Sequence, residues 1–435
     1  MRFRSILGAL ALTGAFPVMV EAAYFKWEAV ELPASSGASC GNGTPYRFFV
    51  NRTPFTSKTV VIFEGGGACW DQNACLGKGN SAIGLSILSA SNPNGVPADY
   101  MTNLGNLLNG GMSGLALGGL ITPFAMRAHP LQSVQTQGWN IVYAPYCTGD
   151  VHAGNRLAVY NDADPAKPLT YYHRGSINGE QIGKWMAANM PRADFLLVTG
   201  FSAGGAGSTV NYAAVRLPTN PKKAVLLADS GPLFNVNRND SPAVSPSVHL
   251  HAKVRSAWGV DGPEGVATKL ITQFPQAGTV ENLGSITTGL AIVKPEDRFS
   301  FLTFQRDGIY SAFSYTSFFP EIAAAPSGTV RDELLNAKWV PEVQKWVNTM
   351  KPYPNVGYYV PFQRDLVKSH TLTLVTFSGT AIKEANISGL KVVDDLIDGK
   401  GTPIRAYETA RNPQNTKVPG TLDSLLQPIY KLLGL

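Results

Sequence analysis

The segment Gly200-Phe201-Ser202-Ala203-Gly204-Gly205 follows a continuous apolar run, Phe195–Thr199 (FLLVT), and precedes small, helix-compatible residues reaching to about Leu217. A serine on a tight strand-to-helix turn has its hydroxyl pushed out, while residues two positions either side are pressed against strand and helix, where only glycine fits. The pattern points to Ser202 as a nucleophile and to acyl transfer as its chemistry. A serine hydroxyl is inert without a base, and the oxyanion it creates needs hydrogen-bond donors. The amide after the nucleophile, that of Ala203, supplies one donor. The run Glu64-Gly65-Gly66-Gly67 directly follows the strand-like Thr59–Phe63 (TVVIF) and has the place of the loop that supplies the second, making Gly66 and Gly67 the candidates. A phosphate loop is the competing reading, but no G-K-[ST] follows.

Hydrolases of this kind order their residues along the chain as Ser, then acid, then His. Of the six histidines in the sequence, His249, His251 and His370 follow Ser202. His370 lies just beyond a loop near the end of the core segments, where the base is expected. His249 and His251 fall in a Pro/Ser-rich stretch (SPAVSPSVHLHAK) and read as surface residues or as the lining of a cap. Two acids compete. Asp307 ends the strand-like SFLTFQ run, and Asp229 ends the strand directly after the nucleophile. Spacing favours Asp307 and leaves Asp229 open.

The elements that must carry these residues are short and apolar. Tyr46–Val50, Thr59–Phe63, Trp139–Tyr143, Phe195–Thr199, Lys223–Ala228, Phe299–Phe304 and Leu372–Phe377 have the β-branched and aromatic content of strands. Ile177–Met190, Asp332–Met350 and Leu390–Ile397 read as helices. Continuous rather than alternating apolar runs mark strands covered on both faces. The alternation predicts an α/β fold, α/β-hydrolase-like, with a mostly parallel central sheet flanked by helices. The Gly- and Asn-rich stretch from about Cys75 to Gln137, with Leu108–Leu120 (LNGGMSGLALGGL) inside it, reads as an inserted cap. The apolar Leu115–Phe124 within it suits an acyl-binding cap or a buried helix equally well. No repeat and no Pro/Ser linker divides the chain, so residues 23–435 are expected to form one catalytic domain.

Residues 1–22 carry Arg2 and Arg4, then an apolar stretch from Ile6 to Val20, then small residues, the pattern of a secretory signal peptide. A secreted or periplasmic location follows as the expectation. The chain of 435 residues is 44% hydrophobic and 15% charged, which excludes a disordered chain. Its formal charge of +6 is not gathered into basic runs interleaved with aromatics, so nucleic acid is not an expected partner. No internal segment is long enough for a membrane span. Cys40, Cys69, Cys75 and Cys147 make an even count, which in an exported protein argues for two disulfides, with three pairings open. No metal-binding pattern occurs, and neither metal nor organic cofactor is expected.

At these residues the chain resembles the pectin acetylesterase/Notum family of serine carboxylesterases. The family's glycine loop followed by cysteine is similar to Glu64-Gly65-Gly66-Gly67-Ala68-Cys69, with its next cysteine at the interval of Cys75. Its P-Y-C motif with a following acid is similar to Pro145-Tyr146-Cys147-Thr148-Gly149-Asp150. Its G-x-S-A-G-G elbow is matched by Gly200–Gly205, and its A-D-S-G turn by Ala228–Gly231. The resemblance implies Ser202 as nucleophile, Asp307 as acid, His370 as base, and disulfides Cys69–Cys75 and Cys40–Cys147. It further implies an ester substrate, short acyl groups on an acylated polysaccharide foremost, with esters of longer acyl chains or polyesters as the alternative. The sequence departs from the family at Ala68, where the family has a tryptophan before the cysteine and this chain has Trp70 after it. It also lacks cysteines near the histidine. The first departure bears on the shape of the acyl pocket, and the second fits a leaner, bacterial-type version.

Overall fold

A computed structural model of the protein describes residues 24–78, 92, 94–102, 122–128 and 132–409. The leader at 1–22, the Leu108–Leu120 stretch and most of Leu115–Phe124 lie outside the described residues.

Eleven strands are formed: β1 Trp27–Glu31, β2 Arg47–Asn51, β3 Thr59–Phe63, β4 Asn140–Ala144, β5 Arg156–Tyr160, β6 Leu169–His173, β7 Phe195–Phe201, β8 Lys223–Asp229, β9 Arg298–Leu302, β10 Val356–Val360 and β11 Arg405–Tyr407. Nine of them build one sheet in the order β1-β2-β4-β3-β7-β8-β9-β10-β11, while β5 and β6 pair separately as an antiparallel hairpin. Pairing is antiparallel only at the β1-β2-β4 edge and parallel from β4 to β11. Every residue of β3, β4, β7 and β10 is buried, as a parallel sheet flanked by helices requires. The continuous apolar runs in the sequence have this cause.

The parallel arrangement puts the carboxyl ends of β3, β7, β8, β9 and β10 along one rim, where ligands of open α/β sheets bind. Ser202, Asp307, His370 and the glycine loop each follow one of these ends, and Asp229 closes β8. Helix α1, Gly175–Asn189, packs against helix α2, Ala203–Thr219, which begins directly after Ser202. Helix α3, Val248–Trp258, and the long helix α4, Gly328–Met350, complete the surroundings of the site. No helix among the described residues is long and apolar enough to cross a membrane.

The cysteines pair as Cys40–Cys147 and Cys69–Cys75. The second bridge closes the loop after β3, and the first ties the entry of β2 to the loop after β4. Both brace the rim.

One expectation is corrected. Leu372–Phe377 is not a strand. Thr371 and Val375 have positive φ, and the Leu372 and Thr373 amides donate to the Asp229 carboxylate instead of to a neighbouring strand. The stretch holding His249 and His251, read as surface or as the lining of a cap, divides between the two. Helix α3 starts two residues after Pro246, exposes His249 and turns His251 inward, where it is buried.

Candidate active site

Ser202 sits between β7 and α2 with φ 57° and ψ −124°, a conformation that costs a non-glycine residue on the order of 1–3 kcal/mol. Local packing enforces it. A Cβ on Gly200 would lie 2.1 Å from the Gly204 carbonyl oxygen, and one on Gly204 would lie 1.9 Å from that of Phe63. Chain is therefore packed on chain at both positions two residues from the serine, as the G-x-S-x-G spacing anticipates. The glycine loop passes equally close, since a Cβ on Gly65 would lie 3.0 Å from that of Ser202. Gly67 takes φ +75° to turn the loop. No hydrogen bond among the described residues uses the amides of Gly66, Gly67 or Ala203. These three lie around the elbow as donors available to a ligand.

His370 and Asp307 are brought together from loops after β10 and β9. The His370 Nδ1–H donates to Asp307 Oδ2 at 2.8 Å, both side chains being buried. The other carboxylate oxygen accepts the amides of Ile309 (3.0 Å) and Tyr310 (2.8 Å), which fixes the carboxylate plane. The Gly308 amide donates to the Lys368 carbonyl, joining the acid's loop to the histidine's. His370 Nε2 is buried without a hydrogen-bond partner among the described residues, so the nitrogen a base would use is unspent.

Asp229, the competing acid, does something else. Its backbone carbonyl accepts the Ser202 amide at 2.9 Å. Its fully buried carboxylate accepts the Leu372 and Thr373 amides, the Thr373 hydroxyl and the Ser230 hydroxyl at 2.7–2.9 Å. Ser230 Oγ in turn accepts the Thr371 amide at 3.0 Å. One residue thus holds the nucleophile's backbone and the loop that presents His370. Arg364 supports the same loop by donating to the carbonyls of Thr371, Leu374, Thr376 and Ser378. Sequence reasoning missed both roles, because a carboxylate that caps a distant loop leaves no local spacing.

Behind the glycine loop lie two further buried acids. Glu64 accepts the Tyr100 hydroxyl (2.5 Å) and the Tyr146 amide (2.8 Å), and its carbonyl accepts from His152 Nε2 (2.8 Å). Asp150 accepts the Thr148 hydroxyl and the amides of Gly154 and Gly175. Burial pushes each carboxyl up to about 7. Burial also drives His152 down to about 4, so it is neutral near neutral pH. The E-G-G-G and P-Y-C-T-G-D segments are therefore two halves of one buried network behind the candidate oxyanion donors.

The raised carboxyl of Glu64 has a consequence for stability. A group that titrates higher in the folded than in the unfolded chain contributes most below its unfolded value, and that contribution fades as pH rises through its folded value. Glu64→Gln removes the titration. The stability of wild type relative to this variant, read from paired thermal melts, is expected to fall between pH 5 and pH 8 by up to about 3 kcal/mol. A constant difference across that range would show that Glu64 is not held as described.

A small cavity of about 60 Å³ lies beside the site. Pro232 and Leu233, from the turn after β8, line one side, and Tyr310 and Phe313, just past Asp307, line another. Val254 and His251 of α3 close it. The Tyr310 ring lies against His370, their centroids 6.5 Å apart. Trp70, the residue that departs from the family pattern, packs on Phe313, Phe318 and Trp258 beside this cavity. No group of three or more His, Cys, Asp or Glu side chains among the described residues could hold a metal ion.

A family model described as Pectinacetylesterase matches residues 132–253, a span holding Ser202 and Asp229 but not Asp307 or His370. The palmitoleoyl-protein carboxylesterase NOTUM of Drosophila melanogaster is 24% identical over 232 residues, 52% of this chain and 30% of that protein. The palmitoleoyl-protein carboxylesterase notum2 of Xenopus laevis is 26% identical over 226 residues, 51% of this chain and 35% of that protein. The chain thus spans about a third of the length of these curated relatives. The solved structure of the Wnt deacylase Notum from Drosophila superposes with a TM-score of 0.56 at 16% identity, over 88% of this chain and 96% of that one. The fold is shared with it, and the resemblance read from the spaced motifs is to the same group of proteins.

Proposed function

We propose that the chain is an exported serine carboxylic ester hydrolase of pectin acetylesterase type, removing short acyl groups such as acetyl from an acylated polysaccharide. The observation that carries this reading is the buried Asp307–His370 hydrogen bond, on the same rim as a strained Ser202 ringed by unspent backbone amides. The similarity to a pectinacetylesterase family model and to carboxylesterases supports it.

His370, oriented by Asp307, takes the Ser202 proton as the oxygen attacks the ester carbonyl. The Ala203 amide and those of Gly66 or Gly67 hold the oxyanion. The alcohol departs with the proton carried by His370, and water, activated by the same base, cleaves the acyl-enzyme. The disulfides suit an oxidising compartment, which agrees with the signal-like residues 1–22.

The direct test is hydrolysis of p-nitrophenyl esters from acetate to palmitate. A cavity of about 60 Å³ lined by Tyr310, whose ring lies against His370, suits a short acyl tail, so kcat/KM is expected to peak at two to four carbons and then fall. A peak at eight carbons or longer would overturn the short-acyl reading in favour of a lipase or polyester hydrolase.

A further inference from the structure

The loop that presents His370 holds a backbone it has little reason to adopt unaided. Val367, Lys368, Ser369, Thr371 and Val375 all have φ between 47° and 62°. Residues with a side chain enter that left-handed region rarely, and β-branched valine and threonine are outliers there. Such conformations persist only where the surroundings over-determine them, and here they cluster around one histidine.

Arg364 provides much of that constraint. It is 2% exposed, and its guanidinium is turned into the loop. Nη1 donates to the carbonyls of Thr376 (3.0 Å) and Ser378 (3.3 Å), and Nη2 to those of Thr371 and Leu374 (3.5 Å). No strand contains these residues, so no sheet neighbour serves their carbonyls. The Phe304 ring lies against the guanidinium, 5.8 Å from its centroid. The Arg364 backbone is tied to the same loop. Its amide donates to Ser369 Oγ at 3.0 Å, and that hydroxyl donates back to the Arg364 carbonyl at 2.9 Å. One residue therefore grips the chain directly before His370, at Ser369, and directly after it, at Thr371. From the sheet side, Ser230 and Asp229 take the amides of Thr371, Leu372 and Thr373 and leave the carbonyls to Arg364.

We propose that Arg364 is a positioning residue for the hydrolysis, holding the loop in the conformation that sets His370 against Asp307, and that it acts on the reaction through His370. The assignment rests on the ester hydrolase reading and adds to it a residue outside the triad. A guanidinium suits the task because its five N–H donors lie in one rigid plane, whereas a lysine ammonium has three on a flexible stem.

The test is p-nitrophenyl acetate hydrolysis by Arg364→Lys, which keeps the charge but cannot span four carbonyls. Its kcat per folded protein is expected to fall about 100-fold, the cost of misplacing a reacting group by about 1 Å, with KM within about twofold of wild type. The same substitution is then made in His370→Ala, whose residual rate no longer depends on where the histidine sits. There it should change kcat by less than about twofold, because residues that act as a unit are not additive. An equal fall in both backgrounds, or no fall in the wild-type background, overturns the assignment and leaves Arg364 a stabiliser of the fold. If Arg364→Lys yields no folded protein, Ser369→Ala decides by the same comparison, since it opens the backbone clasp and spares the guanidinium. It should cost about tenfold in the wild-type background and nothing further in His370→Ala. Failure of the hydrolase reading appears separately, as a wild type that does not hydrolyse the ester or a His370→Ala that matches it.

Discussion

Ser202→Ala should lower kcat on p-nitrophenyl acetate by about 10⁵–10⁶-fold while leaving the fold intact. The size follows from what is removed, because alanine carries no hydroxyl to form the acyl bond and oxyanion donors alone recover only a small residual rate. Stability provides the internal control. Alanine keeps the positive φ that Ser202 holds at 57°, so its melting temperature should stay near wild type. Ser202→Gly relaxes that strain and should be equally inactive yet more stable, by about 1 kcal/mol. An elbow without chemistry would show the same gain for glycine but no loss of hydrolysis for either variant. Parallel kinetics and melts on the three proteins distinguish these cases.

The second large effect separates two aspartates that the sequence leaves in competition. Asp307→Asn keeps the shape but removes the acceptor that fixes the His370 tautomer, and kcat/KM near pH 7 should drop by about 10⁴-fold with little change in stability. Asp229→Asn should behave in the opposite sense. Its carboxylate accepts four donors from Ser230, Leu372 and Thr373, and an amide in its place turns an NH₂ towards some of them. A cost of about 2–4 kcal/mol in stability is expected, from losing hydrogen bonds to a buried charged group. Activity should fall less, through a loosened His370 loop. Kinetics paired with denaturant unfolding of the two variants gives the comparison. If Asp229→Asn proved the catalytically dead and stably folded member of the pair, the acid would have been assigned to the wrong residue.

These two residues also show what a sequence can and cannot carry. The elbow and the glycine loop are legible because their constraint is local: glycines at fixed offsets from Ser202 answer to backbone atoms 1.9–2.1 Å from where a Cβ would stand. The buried strands β3, β7 and β8 are legible because a parallel strand covered on both faces must be apolar throughout. Leu372–Phe377 reads as a strand by the same composition rule. It is a loop because its amides are claimed by Asp229, from a strand more than 140 residues earlier in the chain. Strand β10, Val356–Val360, escapes the same reading, although it carries the loop of His370. His251 is left open between surface and cap lining for a related reason. Its flanking prolines and serines speak for a surface segment, while the inward face of an eleven-residue helix is decided by what packs on it. Glu64 and Asp150 show the same limit, since an acid in an apolar run identifies itself as buried only when its donors are known. Local backbone constraint was readable, and long-range polar satisfaction was not.

Acylation of Ser202 is the step on which the proposed chemistry depends. Incubation of the intact protein with a fluorophosphonate, followed by peptide mapping on a mass spectrometer, addresses it without assuming a substrate. The expected result is one adduct, on the peptide containing Ser202, formed in step with loss of p-nitrophenyl acetate hydrolysis and absent from Ser202→Ala. An adduct on another serine, or full hydrolysis in a protein unmodified at Ser202, would contradict the account.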